Sequence, residues 1–431
     1  MNNYEEVLHF LYRQLPMYQR QGPTAYKKDL GNIRSLCHYL GHPQNKLPCI
    51  HVAGTNGKGS VSHIMAACLQ SAGHRVGLYS SPHYKDFRER IKINGSYIPK
   101  DYVVDFVQRI APSIKVLHPS FFEITVAMAL DFFTRQEVDI AVIETGLGGR
   151  LDSTNIIHPK LCIITNISLD HQDMLGSTLQ LIAIEKAGII KWGTPVVIGE
   201  RGQETDREFE KVAARRMAPI FFAQDLIQLK RESATHRSQS LKIVLNKTGI
   251  AIHKIELGLG GRYQIHNCTT VLAAIFALRQ LGILQVTEDQ IRQGCMNVSK
   301  ATKMLGRWQV LGESPVIISD SAHNEAGFTQ VIKELAEIPC QKLHMVLGFV
   351  TGKDLESILA LLPLQAYYYF CEPQVPRRMN VAEVLHLTRR LQLQSKPYHS
   401  VEQALRAARD AASKDDVIYI GGSSFVVAEV I

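Results

Sequence analysis

At 431 residues with 45% hydrophobic content, the chain exceeds one ordinary domain and can bury sizeable cores, which excludes a disordered protein and predicts two domains. Forty-eight Lys and Arg against forty Asp and Glu leave a net charge of +8, which suits anionic small molecules or nucleic acid. The basic residues are interspersed with acidic ones and form no tract with interleaved aromatics, so no nucleic-acid partner is expected.

No run approaches the roughly 20 apolar residues of a membrane span, and the first residues lack a basic region followed by an apolar stretch. The expectation is a soluble, cytoplasmic protein without a membrane partner. Cysteines stand singly at positions 37, 49, 68, 162, 268, 295, 340 and 371, without zinc-ligand spacing, and read as reduced, mostly buried thiols.

From about residue 47 short apolar runs alternate with amphipathic segments, the pattern of a parallel sheet covered by helices. Strands are predicted at Pro48 to Val52, Val76 to Tyr79, Ile140 to Glu144, Leu161 to Asn166 and Pro195 to Ile198. Helices are predicted at Ser60 to Ala72, Val103 to Val116, Phe122 to Arg135 and Leu179 to Ile190, giving a doubly wound α/β domain. Phe221 to Leu257 is more polar, with a hydrophilic stretch Lys230 to Gln239 and β-like runs such as Lys242 to Leu245, and reads as a small hairpin appendage. Tyr263 to Leu281 returns to helix, Gly294 to Leu305 reads as a connection, and the domain boundary is placed near Met304. Beyond it, strands at Val316 to Ser319, Leu343 to Leu347, Tyr367 to Phe370 and Val417 to Ile420 alternate with helices at Thr329 to Glu337, Leu355 to Leu362, Val381 to Leu391 and Val401 to Ala412. A second, smaller α/β domain follows.

The first strand runs into Ala53-Gly54-Thr55-Asn56-Gly57-Lys58-Gly59-Ser60 and then a helix. Strand, Gly-rich turn and helix in that order aim backbone N–H groups and a helix N-terminus at one point, which suits a phosphate. Lys58 can reach the β- and γ-phosphates, and a hydroxyl of Ser60 or Thr55 can help to hold Mg²⁺. The string departs from the standard phosphate-loop pattern, because Gly59 separates Lys58 from Ser60 and no glycine sits five before Gly57.

Glu144 ends a strand just before Thr145-Gly146-Leu147-Gly148-Gly149-Arg150-Leu151-Asp152. Ligands of open α/β sheets sit beyond the carboxyl ends of strands, so Glu144 lies where a phosphate-bound metal belongs, and Ser168-Leu169-Asp170-His171 brings a histidine to the same edge. A surface or core hydrogen-bonding role for that histidine is the plain alternative. Lys186, in Ile184-Glu185-Lys186-Ala187-Gly188, reads on its own as a solvated helix residue.

Taken together, several strings resemble the Mur ligase superfamily and, within it, the folylpolyglutamate synthase and dihydrofolate synthase family. They are His51 to Ser60, Ser81-Pro82-His83, Phe122-Glu123, Glu144 through Asn155, Asp170-His171 with Leu175-Gly176, Glu185 to Ile189, Gly306-Arg307 and Asp320-Ser321-Ala322-His323-Asn324. The resemblance implies a Mur-ligase-like ATPase domain over residues 1–303, a Rossmann-like ligase domain over 304–431, and an active site in the cleft between them. It also implies roles: Gly54, Thr55, Asn56, Gly57, Lys58, Gly59 and Ser60 would hold the ATP phosphates. Ser81, Glu144 and His171 would ligate Mg²⁺, and a carbamylated Lys186 would help to position a second Mg²⁺. Asn267, Arg307 and Asp320 would contact the nucleotide, and His323 would shape or touch it. Ser120, Phe121, Phe122 and Glu123, with Leu151, Asp152 and Ser153, would line the pterin. The implied reaction is ATP-dependent addition of L-glutamate to dihydropteroate, to reduced folates, or to both, by a monomer.

The sequence departs from the family strings at Tyr263, where His is common, at Ser321, where Gly is common, and at Arg378, which follows Pro376-Arg377. A Mur-type ligase of cell-wall peptides and a phosphate-loop NTPase coupled to a partner are the rival readings.

Overall fold

The computed structural model describes residues 3–17, 29–248, 252–352 and 354–431. The chain divides into two compact units, one of Met1–Ser233, Gln239–Gly258 and Gln264–Lys303, the other of Ala234–Ser238, Leu259–Tyr263 and Met304–Ile431. Among the described residues no helix is long and apolar enough to cross a membrane.

The first unit is built on β1 (Cys49–Ala53), β2 (Val76–Tyr79), β3 (Ile91–Ile93), β4 (Ser96–Tyr97), β5 (Ile140–Glu144), β6 (Leu161–Ile164), β7 (Val196–Ile198) and β8 (Ile220–Phe222). They form one sheet in the order β4-β3-β2-β5-β1-β6-β7-β8, parallel from β2 to β8 and antiparallel at the β3–β4 edge. Every residue of β1, β2, β5, β6 and β7 is buried, which is why these strands are continuous apolar runs.

On part of one face, Tyr79, Ala141 and Ile143 pack with residues of the helices Tyr4–Arg13, Gly31–Tyr39, Lys100–Leu117 and Phe121–Arg135. Next to it, Cys162, Ile164, Val196 and Ile198 pack against the helices Leu179–Ala187 and Asp206–Arg215. The register pairs Val52 with both Glu144 and Ile163, and Tyr79 with Ile143, so the carboxyl ends of β2, β5, β1 and β6 finish along one line.

Several elements end earlier than their apolar pattern suggests, and contacts explain why. β6 stops at Ile164 because Thr165 and Asn166 turn aside to hold the glycine loop, and the helix Leu179–Ala187 stops before Gly188, where a Cβ would lie 2.4 Å from Arg150 Cβ. The expected connection over Gly294 to Leu305 is instead mostly helical, with helices at Glu288–Met296 and Val298–Thr302. Gly294 hides this: it weakens helix propensity, but a Cβ there would sit 2.5 Å from Cys68 Cα, so the glycine is what allows two helices to touch. The polar appendage is a three-stranded sheet of β9 (Ile227–Ala234), β10 (Gln239–Asn246) and β11 (Lys254–Leu257), in the order β11-β10-β9.

The second unit carries β12 (Gln309–Glu313), β13 (Val316–Ser319), β14 (Leu343–Leu347), β15 (Tyr367–Cys371), β16 (Gln394–Tyr398) and β17 (Val417–Gly421), ordered β12-β13-β17-β14-β15-β16. All neighbours run parallel except β12 with β13. β16 escaped the apolar pattern because it is a polar edge strand that tolerates Pro397. Of the eight cysteines, seven are buried, Cys340 is exposed, and all are free.

One buried polar chain fixes the turn after β5. Thr154 Oγ1 donates to Asp152 Oδ1 at 2.5 Å, so His51, at 2.8 Å from that hydroxyl, must donate to it from Nε2. Its Nδ1 is then bare, buried and without a hydrogen-bond partner. Burial, with Lys191 nearby, drives the ring down to about 3. A folded-state value below the unfolded one means that stability is full above about pH 6.5 and is lost as the pH falls through that range toward the folded value. Moving from about pH 7.5 to 5.5 should remove about 1.4 kcal/mol through this ring alone. Denaturant midpoints across that interval should fall for the native chain and fall measurably less for His51→Asn; identical slopes would refute this origin.

Candidate active site

The glycine loop leaves β1 with Gly54 at φ +149°, where a Cβ would lie 1.8 Å from Thr165 Oγ1. It is pinned to the strand beside it: Thr55 N–H donates to Asn166 O at 2.9 Å, Asn56 N–H to Asn166 Oδ1 at 2.9 Å, and Thr165 Oγ1 to Asn56 O at 2.5 Å. Thr55 Oγ1 also bonds the backbone of Ser168, two residues before Asp170. The glycine loop and the segment leading to His171 are therefore one hydrogen-bonded body. Thr165, Asn166 and Ser168 were not singled out from sequence; Asn166, a polar residue closing an apolar run, was the available signal.

Gly57, at φ +80°, caps the helix Lys58–Ser71. The amides of Gly59 and Ser60 open from the first turn of that helix, where N–H groups lack intrahelical acceptors. Asn267, on the helix Gln264–Gln280, closes the side of the loop: a Cβ on Gly57 would lie 2.3 Å from Asn267 Oδ1. The hydroxyl of Ser60 is buried with no protein partner, and so is that of Thr145 beside Glu144. A cradle that a methyl group would fill, lined by N–H groups, a lysine and an orphan hydroxyl, fits a phosphate with a hard cation.

Two ammonium groups meet on one carbonyl. Lys58 Nζ donates to Gly54 O at 3.0 Å and to Thr55 O at 3.0 Å, while Lys186 Nζ donates to the same Gly54 O at 2.8 Å. Lys186 is 3% exposed, which corrects its reading as a solvated helix residue. The helix Leu179–Ala187 is drawn onto the turn after β5, where Gly149 leaves room for the Glu185 and Lys186 carbonyls and Arg150 N–H donates to Glu185 O at 2.7 Å. Burial, then repulsion from Lys58, lowers the Lys186 ammonium to about 7, so much of it is a neutral amine at physiological pH.

Glu144 is 2% exposed at the end of β5, and its Oε2 accepts the Ser81 N–H at 3.2 Å, which joins two of the predicted metal ligands. His171 stands in the left-handed region at φ +51°, with Nε2 3.8 Å from Asp170 Oδ1, a carboxylate able to orient a ligating imidazole. Among the described residues no three His, Cys, Asp or Glu side chains form a closed metal cage. Glu144 and Ser81 offer hard oxygen donors of the kind that Mg²⁺ takes together with phosphate and water.

The predicted pterin-facing residues divide. Ser120 and Glu123 form a buried capping box at the start of the helix Phe121–Arg135, with Glu123 Oε2 accepting the Ser120 N–H at 2.7 Å, and Phe121 is core. Asp152 faces inward and accepts the N–H groups of Gly146 and Leu147 at 2.9 and 2.8 Å, which shapes the turn after Glu144. Phe122, Leu151 and Ser153 stay half-buried, and the Phe122 ring lies on Gly146, where a Cβ would be 2.4 Å away.

In the second unit, Asp320 Oδ2 accepts the Trp308 N–H at 2.8 Å and Oδ1 accepts the Ala322 N–H at 2.8 Å. Ser321 N–H donates to Gly306 O at 3.2 Å, which ties the turn bearing half-buried Arg307 to the Asp320 loop. His323 Nδ1 lies 3.0 Å from the Ser321 carbonyl, an acceptor only, so this nitrogen carries the proton of the neutral ring.

Comparison with known proteins matches the Mur ligase middle domain to residues 52–275 and the Mur ligase, glutamate ligase domain to residues 306–424. The chain is 31% identical over 440 residues to a folylpolyglutamate synthase of Lacticaseibacillus casei, covering 99% of this chain and 98% of that protein. It is 32% identical over 445 residues to a probable bifunctional folylpolyglutamate synthase/dihydropteroate synthase of Halobacterium salinarum, spanning 99% of this chain but only 51%, about half, of that relative. Among solved structures, Mycobacterium tuberculosis folylpolyglutamate synthase complexed with ADP superposes with a TM-score of 0.87 at 29% identity, over 99% of this chain and 96% of that one.

The loop geometry is directly testable. Gly57→Ala should weaken ADP binding, followed by titration calorimetry, at least about tenfold, since left-handed backbone costs a non-glycine residue about 1–2 kcal/mol and the new methyl strikes Asn267. Unaltered ADP affinity in Gly57→Ala would contradict the site.

Proposed function

The chain belongs to the folylpolyglutamate synthase and dihydrofolate synthase family of Mur ligases, and from that premise we propose that it is an ATP-dependent ligase that adds L-glutamate both to dihydropteroate and to reduced folates. The observation that carries the reading is the pair Lys58 and Lys186 on the Gly54 carbonyl, because it supplies a fixed cation for phosphate and a lysine ready to be modified.

In the proposed reaction a substrate carboxylate oxygen attacks the γ-phosphorus of ATP, the bond to the bridging oxygen breaks, and ADP leaves. The acyl phosphate is then attacked by the glutamate amine, which loses its proton as the C–N bond forms, and inorganic phosphate departs. Such transfers depend chiefly on positioning and charge neutralisation. Lys58 and the amides of Gly59 and Ser60 would hold the phosphates, Asn267 would close the loop beside them, and Arg307, Asp320 and His323 would contact the nucleotide. The half-buried faces of Phe122, Leu151 and Ser153 would meet the pterin.

Mg²⁺ would be held by Ser81, Glu144 and His171, where it would neutralise phosphate charge. The neutral amine of Lys186 would add CO₂ to give a carbamate and release one proton, leaving beside Gly54 an anion that would attract Lys58 and help to position a second Mg²⁺. A neutral amine is required for this step, which burial beside Lys58 supports.

Purified chain supplied with ATP, Mg²⁺ and L-glutamate should release ADP with dihydropteroate in one assay and with tetrahydrofolate in another. Activity with one acceptor alone would limit the proposal to that reaction, and activity with neither would end it. For Lys186, ¹³C-labelled bicarbonate should give a carbamate carbon resonance that is absent in Lys186→Met, and kcat of that variant should fall by about two orders of magnitude, equivalent to about 2.7 kcal/mol. Active enzyme without the resonance would refute the modification.

A further inference from the structure

The glycine loop is held from one side by Asn166, and a carboxylate on the neighbouring strand end governs which way Asn166 faces. Asn166 Oδ1 accepts the Asn56 N–H at 2.9 Å, while its Nδ2 donates to Glu200 Oε1 at 3.1 Å. Glu200 is half-buried two residues beyond β7, and its own N–H donates to Thr165 O at 3.1 Å. That approach depends on Gly199, where a Cβ would lie 2.4 Å from the Thr165 carbonyl oxygen and 2.5 Å from Thr270 Oγ1. Glu200 has no part in the function so far.

An asparagine amide keeps nearly the same shape when its two ends are exchanged, but one end accepts and the other only donates. Turned over, Asn166 would set its NH₂ against the Asn56 N–H, two donors face to face, and the loop would lose an acceptor. An ionised carboxylate is an acceptor only, so Glu200 takes the NH₂ end and leaves Oδ1 for Asn56. The neighbouring groups of the loop are already held, Thr55 N–H by Asn166 O and Asn56 O by Thr165 Oγ1. The Glu200–Asn166 pair completes that set immediately before Gly57. A negative charge on the sheet edge that suits phosphate works against anion binding, so its use lies in what it orients.

We propose that Glu200 is a positioning residue for nucleotide binding, acting through the Asn166 amide to keep the glycine loop in its phosphate-holding conformation. The inference rests on the nucleotide site of the ligase reading and adds to it a residue that no sequence motif marked. A role through charge would follow the charge at position 200; a positioning role follows the acceptor and its reach, and vanishes once Asn166 is gone.

The experiment compares equilibrium binding of ADP to the full native chain, to Glu200→Gln, Glu200→Asp and Asn166→Ala, and to Glu200→Asp combined with Asn166→Ala, with thermal melts to check folding. Glu200→Gln loses the charge but keeps an acceptor at the same reach, and should bind ADP within about twofold of the native chain. Glu200→Asp keeps the charge but falls a methylene short of Asn166, and should weaken ADP about fivefold, the scale of a single hydrogen bond. Asn166→Ala should weaken ADP at least as much, and adding Glu200→Asp to it should change nothing further. Weaker binding in Glu200→Gln with native binding in Glu200→Asp would assign the effect to charge and overturn the proposal. Two losses that multiply in the double variant would overturn it as well. Where Glu200→Asp does not fold, Glu200→Met, of similar volume and without the acceptor, is read in the same way. A native chain that binds no ADP faults the nucleotide site itself and the relay with it, whereas ADP binding indifferent to Glu200→Asp faults the relay alone.

Discussion

Two lysine ammonium groups share the carbonyl of Gly54 at the buried end of a central strand, and the rest of the first unit is arranged so that they must. Thr165 and Asn166 hold the glycine loop against the next strand, and Gly54 has no room for a side chain. Gly149 and Gly188 let the helix bearing Lys186 approach the turn after β5. Like charges held this close and away from water destabilise each other, and the more buried one yields its proton more readily. A phosphate or a carbamate relieves that repulsion. An electrostatic tension between the two lysines is thus matched to the chemistry proposed for the site.

The second unit has the complementary device. Its centre is an acceptor-only carboxylate, Asp320, fixed by donors from Tyr263, Trp308 and Ala322. Cations and N–H groups suit phosphates, whereas a carboxylate suits hydroxyl donors.

Much of this was legible in the sequence because parallel strands buried on both faces are apolar throughout, so their polar ends stand out. The glycine loop and Glu144 follow such runs directly, and His171 was placed at the same edge by the next. Lys186 was not legible from local pattern, since its burial depends on Gly149, thirty-seven residues earlier in the chain. The helix Glu288–Met296 was obscured by a glycine needed for close packing, and β16 by the polarity that an edge strand permits. Tyr263 could be seen as a departure from the family string; its hydroxyl on Asp320 could not, because that contact spans fifty-seven positions.

The central claim is that a carboxylate is activated as an acyl phosphate, and oxygen labelling tests it most directly. An acceptor carrying ¹⁸O in its carboxylate should transfer one ¹⁸O to inorganic phosphate for each amide bond formed, read by the isotope shift in the phosphorus spectrum. Phosphate that contains no label from the carboxylate while amide accumulates would contradict the account.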